Sequence, residues 1–320
     1  MMKKKCTEAN NQTYSDLPFD LTLLILERLC LKDNIRASIV CKTWQEACVS
    51  VRVKEYPTPL LMRSPCREEY ELYDPSLNKT HICKSSPVLR SSHIHCSTDG
   101  WLLVRHSNLR DTFFLNPFTH ERIGLPWPDM GSSLALASSC APTSNSCVIF
   151  SVSDFTEGSI TIKTYCLATE VCTSFKFPHR LPWIYGGFEH VVFSNGVFYL
   201  LARRGWLGML DLSTNSWDLL RRPPPKIPGK YYRFMTEYHG DIFLIYTDMN
   251  ELQQPRCLKL NLTKRKWEDE KMWGGLTFYL SFVSTLTMKR DLVHTHKVHQ
   301  CTGYNIWIKP PINVSYLFTS

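Results

Sequence analysis

One short pattern returns through most of the chain and limits the fold more than any other feature. It is an apolar strand, a turn of the form [Asn/Asp]-[Pro/Leu]-x-x-x, then a strand with a bulky residue. The clearest copies run Met209-Leu210-Asp211-Leu212-Ser213-Thr214-Asn215-Ser216-Trp217 and Lys259-Leu260-Asn261-Leu262-Thr263-Lys264-Arg265-Lys266-Trp267. Looser copies start at Leu72 and Phe114, and a degenerate one at Tyr165. The turn residues are Asp74, Asn116, Cys166, Asp211 and Asn261, with gaps of 42, 50, 45 and 50. A second element precedes some of these turns: Asp99-Gly100, Asn195-Gly196 and His239-Gly240, each followed by an alternating apolar strand. Such pairs make tight hairpins because glycine accepts positive φ. A β-meander of about 45 residues leaves an apolar sheet face uncovered on its own, and radial stacking covers it. The expectation is a mostly β chain whose residues 67–320 form a β-propeller, with Trp217 and Trp267 in the inter-blade core. Only five turns are found, so residues 276–320 must supply the closure. Thr277 to Leu286 reads as a strand pair, Met288 onward is charged and His-rich, and Asn305 to Ser320 reads as a weak strand carrying Pro310-Pro311.

Composition agrees. Aromatics reach 12% with 9 Trp, and the 19 prolines favour short strands joined by turns over a helical bundle. The net charge of +8 is scattered over runs such as Lys3-Lys4-Lys5, Arg203-Arg204 and Lys264-Arg265-Lys266, which read as solvated loops. Nucleic-acid modules concentrate basic residues on one face, so no nucleic-acid partner is expected. Lys3 to Lys5 is followed by a polar stretch to Asp16, which is not a secretory leader, and no window of 18 apolar residues spans a membrane. The expected location is the cytoplasm, the nucleus or both. There the 13 cysteines, odd in number and without a C-x-x-C pair, act mostly as small apolar residues.

Residues 16–50 read differently, after a disordered stretch 1–15. Pro18 is tolerated at a helix start, and Asp20 caps or lies in the first turn. Leu21, Leu24, Ile25 and the stem of Arg28 form one stripe, and Leu23, Leu26 and Cys30 another. A second helix is expected after Asp33, with Ala37, Val40, Cys41, Trp44 and Cys48 on a single face. Two short helices cannot enclose Leu21 to Leu29 from all sides, so some of that surface meets another protein. Residues 51–66, with Pro57, Pro59 and Pro65, read as a short stiff linker.

The order Leu17-Pro18-x-Asp20-Leu21, Ile25-Leu26-x-Arg28-Leu29, then Asp33, Arg36 and Val40-Cys41-Lys42-x-Trp44 resembles the F-box. With the repeats behind it, the chain resembles plant F-box proteins that carry a kelch-like β-propeller. The resemblance implies docking onto the Skp adaptor of a Skp–cullin–F-box ubiquitin ligase, and through it onto cullin. The adaptor contact would fall on Leu17, Pro18, Leu21, Ile25, Leu26 and Leu29, with Val40, Cys41 and Trp44 partly holding the module together and partly touching the adaptor.

Catalytic chemistry is not legible. No G-x-S-x-G, G-x-x-x-x-G-K-[ST] or G-x-G-x-x-G occurs, and Glu68-Glu69 and Asp269-Glu270 fall in turns. His294, His296, His299 and Cys301 read as an exposed polar loop, since zinc needs at least three ligands brought together. No cofactor or metal is expected. Arg221 to Lys226 reads as an inter-blade loop of polyproline character. Trp183, Tyr185, Trp206, Tyr231 and Tyr232 fall near loops and are candidates for an aromatic recognition surface. The expected role is a non-catalytic subunit that recruits a target protein, whose identity the sequence leaves open, to a ubiquitin ligase. The alternatives are an F-box scaffold outside a ligase and a propeller enzyme with a site in its channel.

Overall fold

A computed structural model describes residues 17–26, 29, 34, 37–54, 58–63, 69–75, 78–84, 89, 92–106, 111–125, 134–156, 158–178, 187–203, 205–220, 224, 231–248, 254–271, 273, 275–289, 297–300 and 305–310. The chain divides into two compact units, one holding the N-terminal helices and the other spanning Thr58–Pro310. The second unit is a β-propeller of six sheets, five of four strands and one of three among the described residues.

Blade 1 is β1 (Leu60–Arg63), β2 (Glu69–Asp74) and β3 (Lys79–Lys84). Blade 2 is β4 (Ser92–Thr98), β5 (Trp101–His106), β6 (Thr112–Leu115) and β7 (Arg122–Gly124). Blade 3 is β8 (Ala135–Ser138), β9 (Val148–Thr156), β10 (Ser159–Cys166) and β11 (Val171–Pro178). Blade 4 is β12 (Phe188–Ser194), β13 (Val197–Ala202), β14 (Leu207–Asp211) and β15 (Ser216–Leu220). Blade 5 is β16 (Tyr231–Tyr238), β17 (Asp241–Asp248), β18 (Arg256–Asn261) and β19 (Lys266–Asp269). Blade 6 is β20 (Leu276–Leu280), β21 (Thr285–Lys289) and β22 (Lys297–Gln300), with β22 parallel to β20.

The ring closes through β23 (Ile306–Ile308), which pairs antiparallel with β1 at Leu60↔Ile308, Leu61↔Trp307 and Met62↔Ile306. The innermost strands touch in the order β23, β4, β8, β12, β16, β21 and back to β23. The closing strand thus comes from residues 276–320, but as three buried residues rather than a long strand. Its Trp307 Nε1 donates to Leu280 O at 3.2 Å, and its ring meets Tyr279 edge-on at 5.0 Å. The start of β21 and the turn before it reach two other blades. Ser284 Oγ donates to Ser97 O on blade 2 at 3.4 Å, and Thr285 Oγ1 to Met235 O on blade 5 at 2.6 Å.

The stiff linker expected over 51–66 needs correction. The second helix runs on to Lys54, and Leu60–Arg63 is already a strand of blade 1. The apolar run Leu60-Leu61-Met62 outweighs the flanking prolines once β2 and β23 pair with it on both sides.

All five repeated turns link the third strand of a blade to its outermost strand. Their chemistry explains the pattern. Asn116 Oδ1 accepts from the Phe118 and Thr119 amides at 2.9 and 3.2 Å. Asp211 Oδ1 accepts from Ser213 N at 2.8 Å, and Asn261 Oδ1 from Lys264 N at 2.9 Å. These are Asx turns. At the degenerate copy the Cys166 sulfur takes the place of that oxygen, and hydrogen bonds from Thr169 and Ala168 lower its pKa. The fifth residue of each turn is left-handed: Asn78, His120, Glu170, Asn215 and Arg265 all have φ between 49° and 61°. The polar-Gly pairs turn from the first strand to the second, with φ of 47° and 85° at Asp99-Gly100, for example, as a type I′ hairpin requires.

The second strands are not alternating, as the sequence led one to expect. Leu102-Leu103, Leu200-Leu201 and Leu244-Ile245 are buried at consecutive positions because neighbouring blades cover both sheet faces. Leu201, Leu207, Leu220, Met235, Leu244, Leu258 and Trp267 form one cluster between blades 4 and 5. Trp217 packs between blades 3 and 4, stacked on Phe177 at 6.2 Å. A Cβ at Gly208 would lie 2.0 Å from the Trp217 ring, so the bare backbone there makes room for the indole.

Candidate functional site

The N-terminal unit holds α1 (Phe19–Leu26) and α2 (Lys42–Lys54). Pro18 starts α1: its carbonyl accepts from the Thr22 amide at 3.1 Å and from Thr22 Oγ1 at 3.2 Å. The 3.6-residue period then separates two faces. Thr22 and Leu26 are buried. Leu26 packs with Ala37, Ala47, Cys48 and Val51, flanked by half-buried Leu23, Leu29 and Trp44.

The opposite stripe is uncovered. Leu21, Leu24 and Ile25 are 48%, 55% and 42% exposed, and Phe19 41%. Leu17 is half-buried and Pro18 exposed at the head of the same stripe. Beyond α1, Ile39 and Val40 are 83% and 56% exposed and Val49 42%. Seven of the twelve large apolar side chains exposed among the described residues therefore lie between Phe19 and Val49. A concentration of this kind marks a protein contact rather than scattered surface residues.

This geometry corrects several expectations. Leu26 is fully buried at the centre of the small core rather than on the uncovered stripe. Leu29 and Trp44 lean on that same core. The second helix is not continuous from Asp33, which itself lies outside the described residues. A turn at Ser38–Val40 interrupts it, with Val40 N bonded to Ala37 O at 3.2 Å, and α2 begins at Lys42. The core face of α2 is Trp44, Ala47, Cys48 and Val51, while Val40 is turned outward. Leu24, part of the apolar stripe in the sequence but not of the residues carried over from the F-box, is the most exposed leucine of α1. Its signal was the i, i+3, i+4 spacing Leu21-Leu24-Ile25.

On the propeller, Trp206 lies in the connection between β13 and β14, and Tyr231 and Tyr232 begin β16. All three are half-buried. Tyr232 meets Phe282 edge-on at 5.0 Å, and Arg233 pairs with Glu189 at 2.6 Å. Trp183 and Tyr185 lie outside the described residues, as do Arg221, Arg222, Pro223 and Pro225 to Lys226. Among the described residues no group of three His, Cys, Asp or Glu side chains is placed to hold a metal ion. His294, His296 and Cys301 lie outside them.

A helical pair with an uncovered leucine stripe, followed by a six-bladed ring, defines an F-box protein with a propeller. An F-box domain model matches residues 14–56, and a KIB1-4 beta-propeller model matches residues 71–299. The chain belongs to this family of F-box proteins with a KIB1-4 propeller. It is similar to the F-box protein At3g56470 of Arabidopsis thaliana, at 46% identity over 95% of this chain and 90% of that one. It is also similar to two F-box/kelch-repeat proteins of that plant. At3g18720 is 37% identical over 97% of this chain and 89% of its own length, and At1g57790 is 36% identical over 88% and 80%.

Proposed function

We propose that this chain is the non-catalytic, target-recruiting subunit of a Skp–cullin–F-box ubiquitin ligase. The stripe of Leu17, Pro18, Leu21, Leu24 and Ile25 docks a Skp-type adaptor, and through it cullin. The propeller carries a target protein. The observation that supports this reading most is the exposure of Leu21, Leu24 and Ile25 on one face of α1 while Leu26 on its other face is packed into the small core. Covering that stripe removes apolar area from water at about 25 cal/mol per Å², while no bond chemistry is asked of the chain. Its contribution to ubiquitin transfer is proximity, which raises the effective concentration of target lysines near the charged ubiquitin carrier. We place the protein in the cytoplasm, the nucleus or both, where that machinery works. The test is co-purification with a Skp-type adaptor. Wild type is recovered with the adaptor. The Leu17→Ala/Pro18→Ala double variant and Ile25→Asp are expected to lose most of it. Equal recovery of all three rules out adaptor docking through this stripe.

A further inference from the structure

The inner hairpin of blade 3 carries a cysteine on each arm, and the backbone fixes how they meet. β8 and β9 pair as far as Ser138↔Ile149. One step on, Ser139 N donates to Val148 O and Val148 N to Ser139 Oγ, both at 2.9 Å. The next step sets Cys140 opposite Cys147. Between them the chain makes two successive turns, with Ser144 N bonded to Ala141 O at 3.0 Å and Cys147 N to Ser144 O at 3.1 Å. Hydrogen-bonding and non-hydrogen-bonding positions alternate along an antiparallel ladder. Ser139 and Val148 occupy the first kind, so Cys140 and Cys147 occupy the second. Residues facing each other there have Cα atoms about 4.5 Å apart. That lies within the ~4.4–6.8 Å over which a disulfide closes without moving the backbone.

The side chains are already in contact range: the Cys147 thiol donates to Cys140 O at 3.3 Å. The other cysteines on described strands have no such counterpart. Cys83 faces Tyr70, Cys96 faces Leu103, Cys172 faces Tyr165 and Cys257 faces Ile245. The two thiols differ in access. Cys140 is half-buried, beside the hydroxyls of Ser139 at 3.6 Å and Ser146 at 3.8 Å. Cys147 is wholly buried and packs with Leu136, Ile149 and Tyr165. Burial pushes the Cys147 thiol up to about 12, and the neighbouring Cys140 thiol adds to the rise. The thiolate is the nucleophile and must be reached, so Cys140 reacts first.

We propose that Cys140 and Cys147 are an oxidisable pair, closed into a disulfide by exchange with a small disulfide such as glutathione disulfide. The Cys140 thiolate attacks one sulfur of glutathione disulfide and forms a mixed disulfide. The glutathione released takes up the proton that Cys140 lost. Cys147 then gives up its proton and attacks the Cys140 sulfur, and the second glutathione leaves with that proton. Two protein thiols are oxidised and one glutathione disulfide is reduced to two glutathione molecules. The second step generates a buried thiolate and is the slower of the two. The link staples the inner hairpin of blade 3, and excess thiol reverses it. The site is independent of adaptor docking.

The experiment incubates the reduced, folded full chain with glutathione disulfide, caps the remaining thiols with N-ethylmaleimide in denaturant and digests with trypsin. One tryptic peptide, Ile123–Lys163, carries Cys140, Cys147 and no other cysteine. In wild type this peptide loses the mass of two hydrogens and takes no cap. Dithiothreitol before capping restores two capped cysteines. Cys147→Ser retains glutathione on Cys140, because the resolving thiol is gone. Cys140→Ser carries no glutathione, and its Cys147 is capped once the chain is denatured. Oxidised wild type melts a few degrees above the reduced protein, because the link restricts the unfolded chain. The proposal is overturned if the wild-type peptide takes two caps after glutathione disulfide, or keeps glutathione on Cys140 without a link. It is also overturned if Cys147 is joined instead to Cys96, in the tryptic peptide Ser91–Arg105, or if the oxidised protein melts below the reduced one.

Discussion

The two units spend the same residue types in opposite ways. In the second strands of the propeller, Leu102, Leu103, Leu201, Leu244 and Ile245 are wholly removed from water. In α1, Leu21, Leu24 and Ile25 keep 42% to 55% of their surface in it. The difference lies in what surrounds each element, not in its hydrophobicity. Radial repetition gives every blade a neighbour on both faces, including the last, because β23 returns to β1. A pair of short helices provides one neighbour, and one face of α1 is left over. Propeller leucines therefore hold a fold together, while the α1 leucines are available for binding.

The comparison can be broken at the ring closure first. Trp307→Ala empties the contact among Leu61, Tyr279 and Trp307 and removes the bond to Leu280 O. The expected loss is about 4 kcal/mol of propeller stability, read from urea unfolding. Gly208→Ala sets a methyl group inside the Trp217 ring and is expected to cost about 3 kcal/mol. A loss under about 0.5 kcal/mol in either variant would mean that the blades do not depend on these contacts.

A smaller effect follows from pH. His190 is buried on β12, its Nε2–H donating to Arg233 O at 3.1 Å, and burial lowers its pKa to about 4. The His95 pKa is lowered to about 4 by the same cause, helped by Arg105. Unfolded histidine takes a proton near pH 6.5, which the fold resists until about pH 4. The stability from His190 is thus complete above about pH 6.5 and falls as pH drops, by about 2 kcal/mol at pH 5. The urea midpoint should decline between pH 7 and pH 5, and less steeply in His190→Gln. The smallest effect belongs to the helices: Leu24→Ser should change stability by no more than about 0.5 kcal/mol, because its side chain leaves water only when a partner covers it.

Much of this was legible in the residues, for physical reasons that can be named. The outer turns are legible because Asn116, Asp211 and Asn261 cap theirs with a side-chain oxygen, and Cys166 holds the equivalent place in the repeat. Blade 6 is hard to read because no such turn falls among its described residues, and because its β22 runs parallel to β20. The closing strand is only Ile306, Trp307 and Ile308, too short to show a period. In the helical unit, apolar spacing runs through Ser38–Val40 without a break, so the turn there is invisible in the sequence and Val40 reads as part of the core face although it is exposed. Leu26 belongs to the F-box pattern, but a pattern does not separate packed residues from exposed ones, and burial does.

The account rests on the α1 stripe being a docking surface. Its most direct test is the dissociation constant for a purified Skp-type adaptor, measured by calorimetry on the wild type, Leu24→Asp and Ile25→Asp. The expected result is a loss of about 100-fold or more in both variants, near 3 kcal/mol, with the propeller's urea midpoint unchanged. Wild-type affinity in both variants would contradict it.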